Sequence, residues 1–82
     1  MNIKLIYKTL PQTVHGFTVE VEQNKSYWIV LNNISSKTQQ RRTYQHELSH
    51  IRHNDFNALR NGADLNEIET ARHNEDATRR IV

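Results

Sequence analysis

The sequence predicts an α+β fold, with a small three-stranded antiparallel sheet packed on a metal-binding helix and a second, C-terminal helix. Three observations carry this. Residues 1–34 hold three apolar, β-prone runs. The remainder spaces its apolar residues helically behind two cap motifs. Within it, His46-Glu47-Leu48-Ser49-His50 sets two imidazoles one helical turn apart, an HExxH pentapeptide.

The strands come first. Ile3, Leu5 and Tyr7 alternate, as do Phe17, Val19 and Val21, and Tyr27 to Leu31 is a continuous apolar run. Pro11 and Gly16 separate the first two, and Gln23-Asn24-Lys25-Ser26 reads as a hairpin turn. Tyr27 and Trp28 are adjacent, so they point to opposite faces. Trp28 is expected to pack on the sheet.

The helices follow. Ser36-Lys37-Thr38-Gln39 fits a capping box and opens a helix over 36–54. Its residues Tyr44, Leu48 and Ile51 form one apolar stripe, while His46, His50 and His53 gather on another side. Asn61-Gly62 marks a turn. Asp64 then caps a helix over 64–80, with an acidic first turn that suits the helix dipole. Leu65 and Ile68 are expected to face the core. The whole, residues 1–82, reads as one domain with no linker or repeat.

Composition narrows the function. The chain has 82 residues, of which 35% are hydrophobic, so its core is small and a bound metal would add to stability. It has no cysteine, which excludes disulfides and thiolate sites and leaves His and carboxylates as ligands. Net charge is +2, and the only basic doublets are Arg41-Arg42 and Arg79-Arg80. A nucleic-acid binder shows a denser stripe interleaved with aromatics, so direct nucleic-acid binding is not expected. The lysine-interrupted start does not read as a signal peptide, and no run approaches a membrane span. A cytoplasmic protein is expected.

The pentapeptide points to hydrolysis. On a helix its two imidazoles share a face and can share one Zn2+, with Glu47 beside them to accept a proton from water. A catalytic zinc needs a third protein ligand. His53 continues the same face, but three ligands on one straight helix would span about 10 Å of rise. Glu69, nineteen residues past His50 and beyond the Asn61-Gly62 turn, can fold back onto the pair. Glu67 is the fallback, although capping explains it better. His73 lies one turn after Glu69 and could orient a ligand. His53, His73 and Tyr44 are candidates for a second donor to a developing oxyanion. The exposed edge of a strand near 27–32 is expected to take an extended peptide.

These residues bring a family into view. His46-Glu47-Leu48-Ser49-His50-Ile51, Asn54-Asp55-Phe56 and Ile68-Glu69-Thr70-Ala71-Arg72-His73 resemble a small ImmA/IrrE zinc metallo-endopeptidase of phages and mobile elements. Ile6-Tyr7-Lys8 and Gly16-Phe17-Thr18 are also similar to short members. The likeness covers most of the chain, and its specific parts are the HExxH and the downstream Glu segment. It implies a minimal zincin-like, HExxH…E gluzincin-like domain in which His46, His50 and Glu69 hold one zinc and Glu47 is the catalytic base. It also implies a repressor-like transcription factor as the protein substrate. There are departures. The family usually has a small residue where this chain has Arg72, a departure that works against close helix packing there. The longer helical region of larger members does not follow. Substrate recognition is therefore expected to be reduced or to depend on a partner. Two other classes remain open, an inactive metal-bearing module that sequesters a regulator and a small nucleic-acid-binding protein.

Overall fold

The computed structural model describes residues 1–81, with side chains described for residues 1–73. Strands β1 (Asn2–Lys8), β2 (Gly16–Glu22) and β3 (Ser26–Asn32) precede helices α1 (Lys37–Arg52), α2 (Asp55–Arg60) and α3 (Leu65–Ile81). The α+β class is as expected. The side chains of Arg79 and Arg80 lie outside the described residues.

The sheet is mixed, which corrects the expectation of an antiparallel one. Its order is β1-β3-β2, with β3 parallel to β1 and antiparallel to β2. Residues 9–15 do not turn back as a hairpin but cross the end of the sheet, which leaves a slot that β3 fills. Asn32 pins this crossing. Its Nδ2 donates to the carbonyls of Leu10, Pro11 and Val14, while its Oδ1 accepts from the Leu10 and Ile34 amides. A fully buried side chain thus bonds five backbone groups of the crossing and of the turn that follows β3. The β2–β3 hairpin forms as read from the sequence. Asn24 takes the left-handed conformation at φ 61°, and the Lys25 amide closes the turn on the Glu22 carbonyl at 2.9 Å.

Because β3 is central, it is apolar on both faces. Tyr27, Ile29 and Leu31 face the helices and form the core with Ile51, against which Tyr44, Leu48 and Phe56 pack. The predicted helical stripe is therefore the buried one. Trp28 points the other way, beside Phe17 and Val19 across the β2 pairing, and all three are partly exposed. The Lys4 ammonium lies 5.9 Å from the Trp28 ring. The β2 alternation has a consequence for the site. With Phe17 and Val19 on the far face, Gly16, Thr18 and Glu20 turn toward the helices.

Helix α1 begins as predicted, with the Ser36 hydroxyl accepting from the Gln39 amide at 3.1 Å. Only half of the capping box forms, because the Gln39 side chain runs forward to Thr43 instead of back. The helix ends at Arg52, short of the expected 54. Asn54 adopts the left-handed conformation (φ 56°, ψ 40°) and reverses the chain into α2, a six-residue helix that the sequence reading did not separate. Gly62 at φ 92° makes the next turn, and Asp64 Oδ1 caps α3 through the amides of Asn66 and Glu67. Helix α3 docks on α1, but Leu65 stays 55% exposed rather than entering the core, while Ile68 is half-buried. No helix among the described residues is long and apolar enough to cross a membrane.

Candidate metal centre

Helix α1 crosses β2 so closely that a Cβ on Gly16 would sit 2.8 Å from Thr43 Cγ2, besides lying 2.5 Å from the Val30 carbonyl oxygen of the neighbouring β3. That contact lays the His46–His50 face of α1 against the polar side of β2. Helix α3 returns alongside and brings in Glu69.

Three predicted ligands converge. His50 Nε2 lies 2.7 Å from Glu69 Oε1, His46 Nε2 lies 3.2 Å from Glu69 Oε2, and the two imidazole Nε2 atoms are 3.2 Å apart. His46, His50 and Glu69 form the group among the described residues that could hold a metal ion. The tautomer of His50 sharpens this. Its Nδ1 is 2.8 Å from Asp55 Oδ2, so Nδ1–H donates to that carboxylate and Nε2 is left as an acceptor. Ring nitrogens this close to each other and to a carboxylate oxygen need a proton or a cation between them. Zinc bonds of about 2.0–2.1 Å in tetrahedral array separate ligand atoms by about 3.3 Å. The two 3.2 Å spacings lie close to that and the 2.7 Å spacing is shorter, and the two imidazoles and one carboxylate are a donor set that a metal ion such as zinc accepts.

Glu47 stands next to this group. Thr18 Oγ1 donates to Glu47 Oε1 at 2.8 Å, tying the carboxylate to β2. Burial pushes the Glu47 carboxyl above its usual range. The Thr18 bond and the two imidazoles offset part of this, and the Glu69 charge adds to it. A carboxylate raised in this way is a better proton acceptor near neutral pH.

Asp55 is the residue beside the ligand group that sequence reasoning missed, although it lies in the segment that carried the family resemblance. It is 4% exposed, and Arg72 holds it with two bonds, Nε to Oδ2 at 2.8 Å and a terminal nitrogen to Oδ1 at 3.2 Å. Burial pushes its carboxyl up, but the bonds from Arg72 and His50, together with their charges, outweigh that and hold it below the ordinary carboxylate range. Its sequence signal was an acid placed one helical turn and one residue after His50. Thr18 was missed as well, because β2 was read by its apolar alternation alone.

The other candidates are distributed differently. His73 stacks on His46, with ring centroids 4.7 Å apart and planes 26° apart, and its Nε2 is 3.8 Å from Glu69 Oε2. It is largely exposed on the rim. His53 ends α1, and its Nδ1 faces the Ser49 carbonyl at 2.8 Å, so the structure does not bring it to the ligand group. Tyr44 packs against the core and lines a separate cavity with Leu5 and Tyr7. Glu67 lies in the first turn of α3 and is not in the convergent group.

A cleft runs past the site. On one side of Glu47 and Glu69 it is a space of about 350 Å³ walled by Thr18, Phe56, Leu59 and Ile68. On the other it is a polar space of about 420 Å³ that includes Gln39, Arg42 and His73. The strand expected to offer a free edge, around 27–32, is β3, and it is paired on both sides. That expectation is therefore corrected. The edge beside Glu47 belongs to β2.

Comparison of the chain with protein-family models, curated proteins and solved structures finds no match in any of them.

Proposed function

We propose that this protein is a zinc-dependent endopeptidase acting on a protein substrate, a repressor-type regulator of a phage or mobile element. The observation that carries the reading is the convergence of His46, His50 and Glu69 in a cleft that the half-buried Glu47 carboxylate also lines. Zinc held by these three residues would act as a Lewis acid toward a peptide carbonyl and lower the pKa of water toward about 7. The chain's own groups do the rest. Glu47 accepts the proton of the attacking water and returns it to the leaving amine. Thr18 keeps its carboxylate facing the cleft. His73, on the rim, can offer an N–H to the developing oxyanion.

An extended peptide would bind along the outer edge of β2, where unpaired backbone groups run past Glu47. Backbone pairing of that kind is tolerant of sequence, so the side-chain preference would come from the cleft walls. The choice of a repressor-type substrate rests on the resemblance of the HExxH and Glu69 segments to the ImmA/IrrE peptidases. A cytoplasmic location goes with such a substrate.

The test is cleavage of a proteome-derived peptide library by the zinc-loaded protein, read as new termini by mass spectrometry. New termini that disappear with a zinc chelator support the proposal. Their absence from protein carrying one zinc per chain rules it out.

A further inference from the structure

We infer that Arg72 is a positioning residue for the metal centre, acting through Asp55 on His50 while setting Glu69 from the same helix. The inference rests on the reading that His46, His50 and Glu69 hold zinc, and adds to it a device that spans all three helices. It starts from Arg72, whose long guanidinium stands three positions after Glu69 and is 14% exposed.

The links are short and mostly buried. Arg72 on α3 grips both oxygens of Asp55 at the start of α2. Asp55 Oδ2 in turn accepts from His50 Nδ1 on α1 at 2.8 Å. Side-chain exposures along the chain are 14% for Arg72, 6% for Asp55 and 10% for His50. A planar guanidinium bonded through two nitrogens fixes direction as well as distance, which a lysine could not do. The carboxylate so held has one orientation for the imidazole, and the imidazole then has one orientation for its Nε2.

The same contact places the third ligand. Glu69 and Arg72 are three residues apart on α3 and share a helix face. Holding Arg72 on Asp55 therefore helps to bring the Glu69 carboxylate over α1, against which α3 packs. The left-handed turn at Asn54 is what brings Asp55 back under His50. Each member depends on the next. Without Arg72 the buried Asp55 keeps only the imidazole as a side-chain partner for its charge. Without Asp55 the His50 Nδ1–H is left buried and unmatched. The set should behave as one unit.

Zinc affinity by chelator competition, measured on Asp55→Asn, Arg72→Gln and the double variant, tests this. Circular dichroism of the metal-free proteins and the visible spectrum of the Co2+-substituted proteins accompany it. Each single change is expected to weaken zinc binding on the order of ten- to a hundredfold and to alter the cobalt spectrum. The double variant should be no worse than the weaker single one, and Arg72→Lys should recover part of the loss. Unchanged affinity in the single variants would overturn the inference, as would losses that multiply in the double variant, because Arg72 would then act independently of Asp55. If Arg72→Gln does not fold, Arg72→Lys carries the test. Failure of both to fold would also overturn it, because the pair would then be holding the helices together and not the ligands. A wild-type protein that binds no zinc sinks the metal reading itself, and is told apart by needing no variant.

Discussion

Glu47→Gln is expected to abolish peptide cleavage while zinc binding stays at the wild-type level. Glutamine has nearly the same shape, and it can still accept from Thr18 Oγ1, which now bonds Glu47 Oε1. It is not one of the three converging groups, so the affinity for metal should hold. The loss is the proton acceptor. Removing a positioned general base typically costs about 10²–10⁴ in rate, and here the same carboxylate also serves the leaving amine, so the upper end applies. The measurement is the rate at which new termini appear from a cleaved peptide, with zinc content determined on the same sample. A variant that still cleaves at the wild-type rate contradicts the role of Glu47. A variant that cleaves nothing yet keeps the protein's full biological effect would instead favour a module that sequesters its regulator.

The second large effect is thermal. Adding zinc should raise the melting temperature of the wild-type protein strongly and that of Glu69→Ala very little. Among the described residues the buried apolar side chains are Tyr27, Ile29, Val30, Leu31 and Ile51, which is little apolar material for three strands and three helices. A ligand that binds only the folded state adds about 4 kcal/mol at a thousand times its dissociation constant. In a domain of this size each kcal/mol moves the midpoint by about 4–8 °C, so a shift above about 15 °C is expected. Glu69 is partly exposed, with 38% of its side chain accessible, so replacing it should leave the metal-free fold intact and remove only the response to zinc. Scanning calorimetry with and without excess zinc makes the comparison. Equal shifts in both proteins would mean that Glu69 is not a ligand.

Much of this architecture is legible in the residues, and the rest is hidden for physical reasons. The period of Tyr44, Leu48 and Ile51 names the buried face of α1, and the four-residue spacing of His46 and His50 names the opposite one. Glu69 follows from reach, because a hairpin of helices has to bring some carboxylate back over the imidazoles. Strand order is different. Alternation in β1 and β2 says which side chains share a face but not which strand lies between them, and the continuous apolar run of β3 was the sign of a central strand. The break at Asn54 depends on one residue taking a left-handed conformation without a glycine to announce it. Asp55 therefore has no site role that its position in the sequence announces, although the reversal at Asn54 delivers it to His50. Arg72 was read as a misfit to close packing. Its partner could not be known until α2 was separated from α1.

The central claim is that two imidazoles and a carboxylate from the next helix grip a single cation. Zinc per chain, measured by plasma mass spectrometry on protein purified without chelators or metal-binding tags, tests it most directly when wild type and His46→Ala are compared. The account expects close to one zinc in the wild type and almost none in the variant. No zinc in the wild type, or the same amount in both, would contradict it.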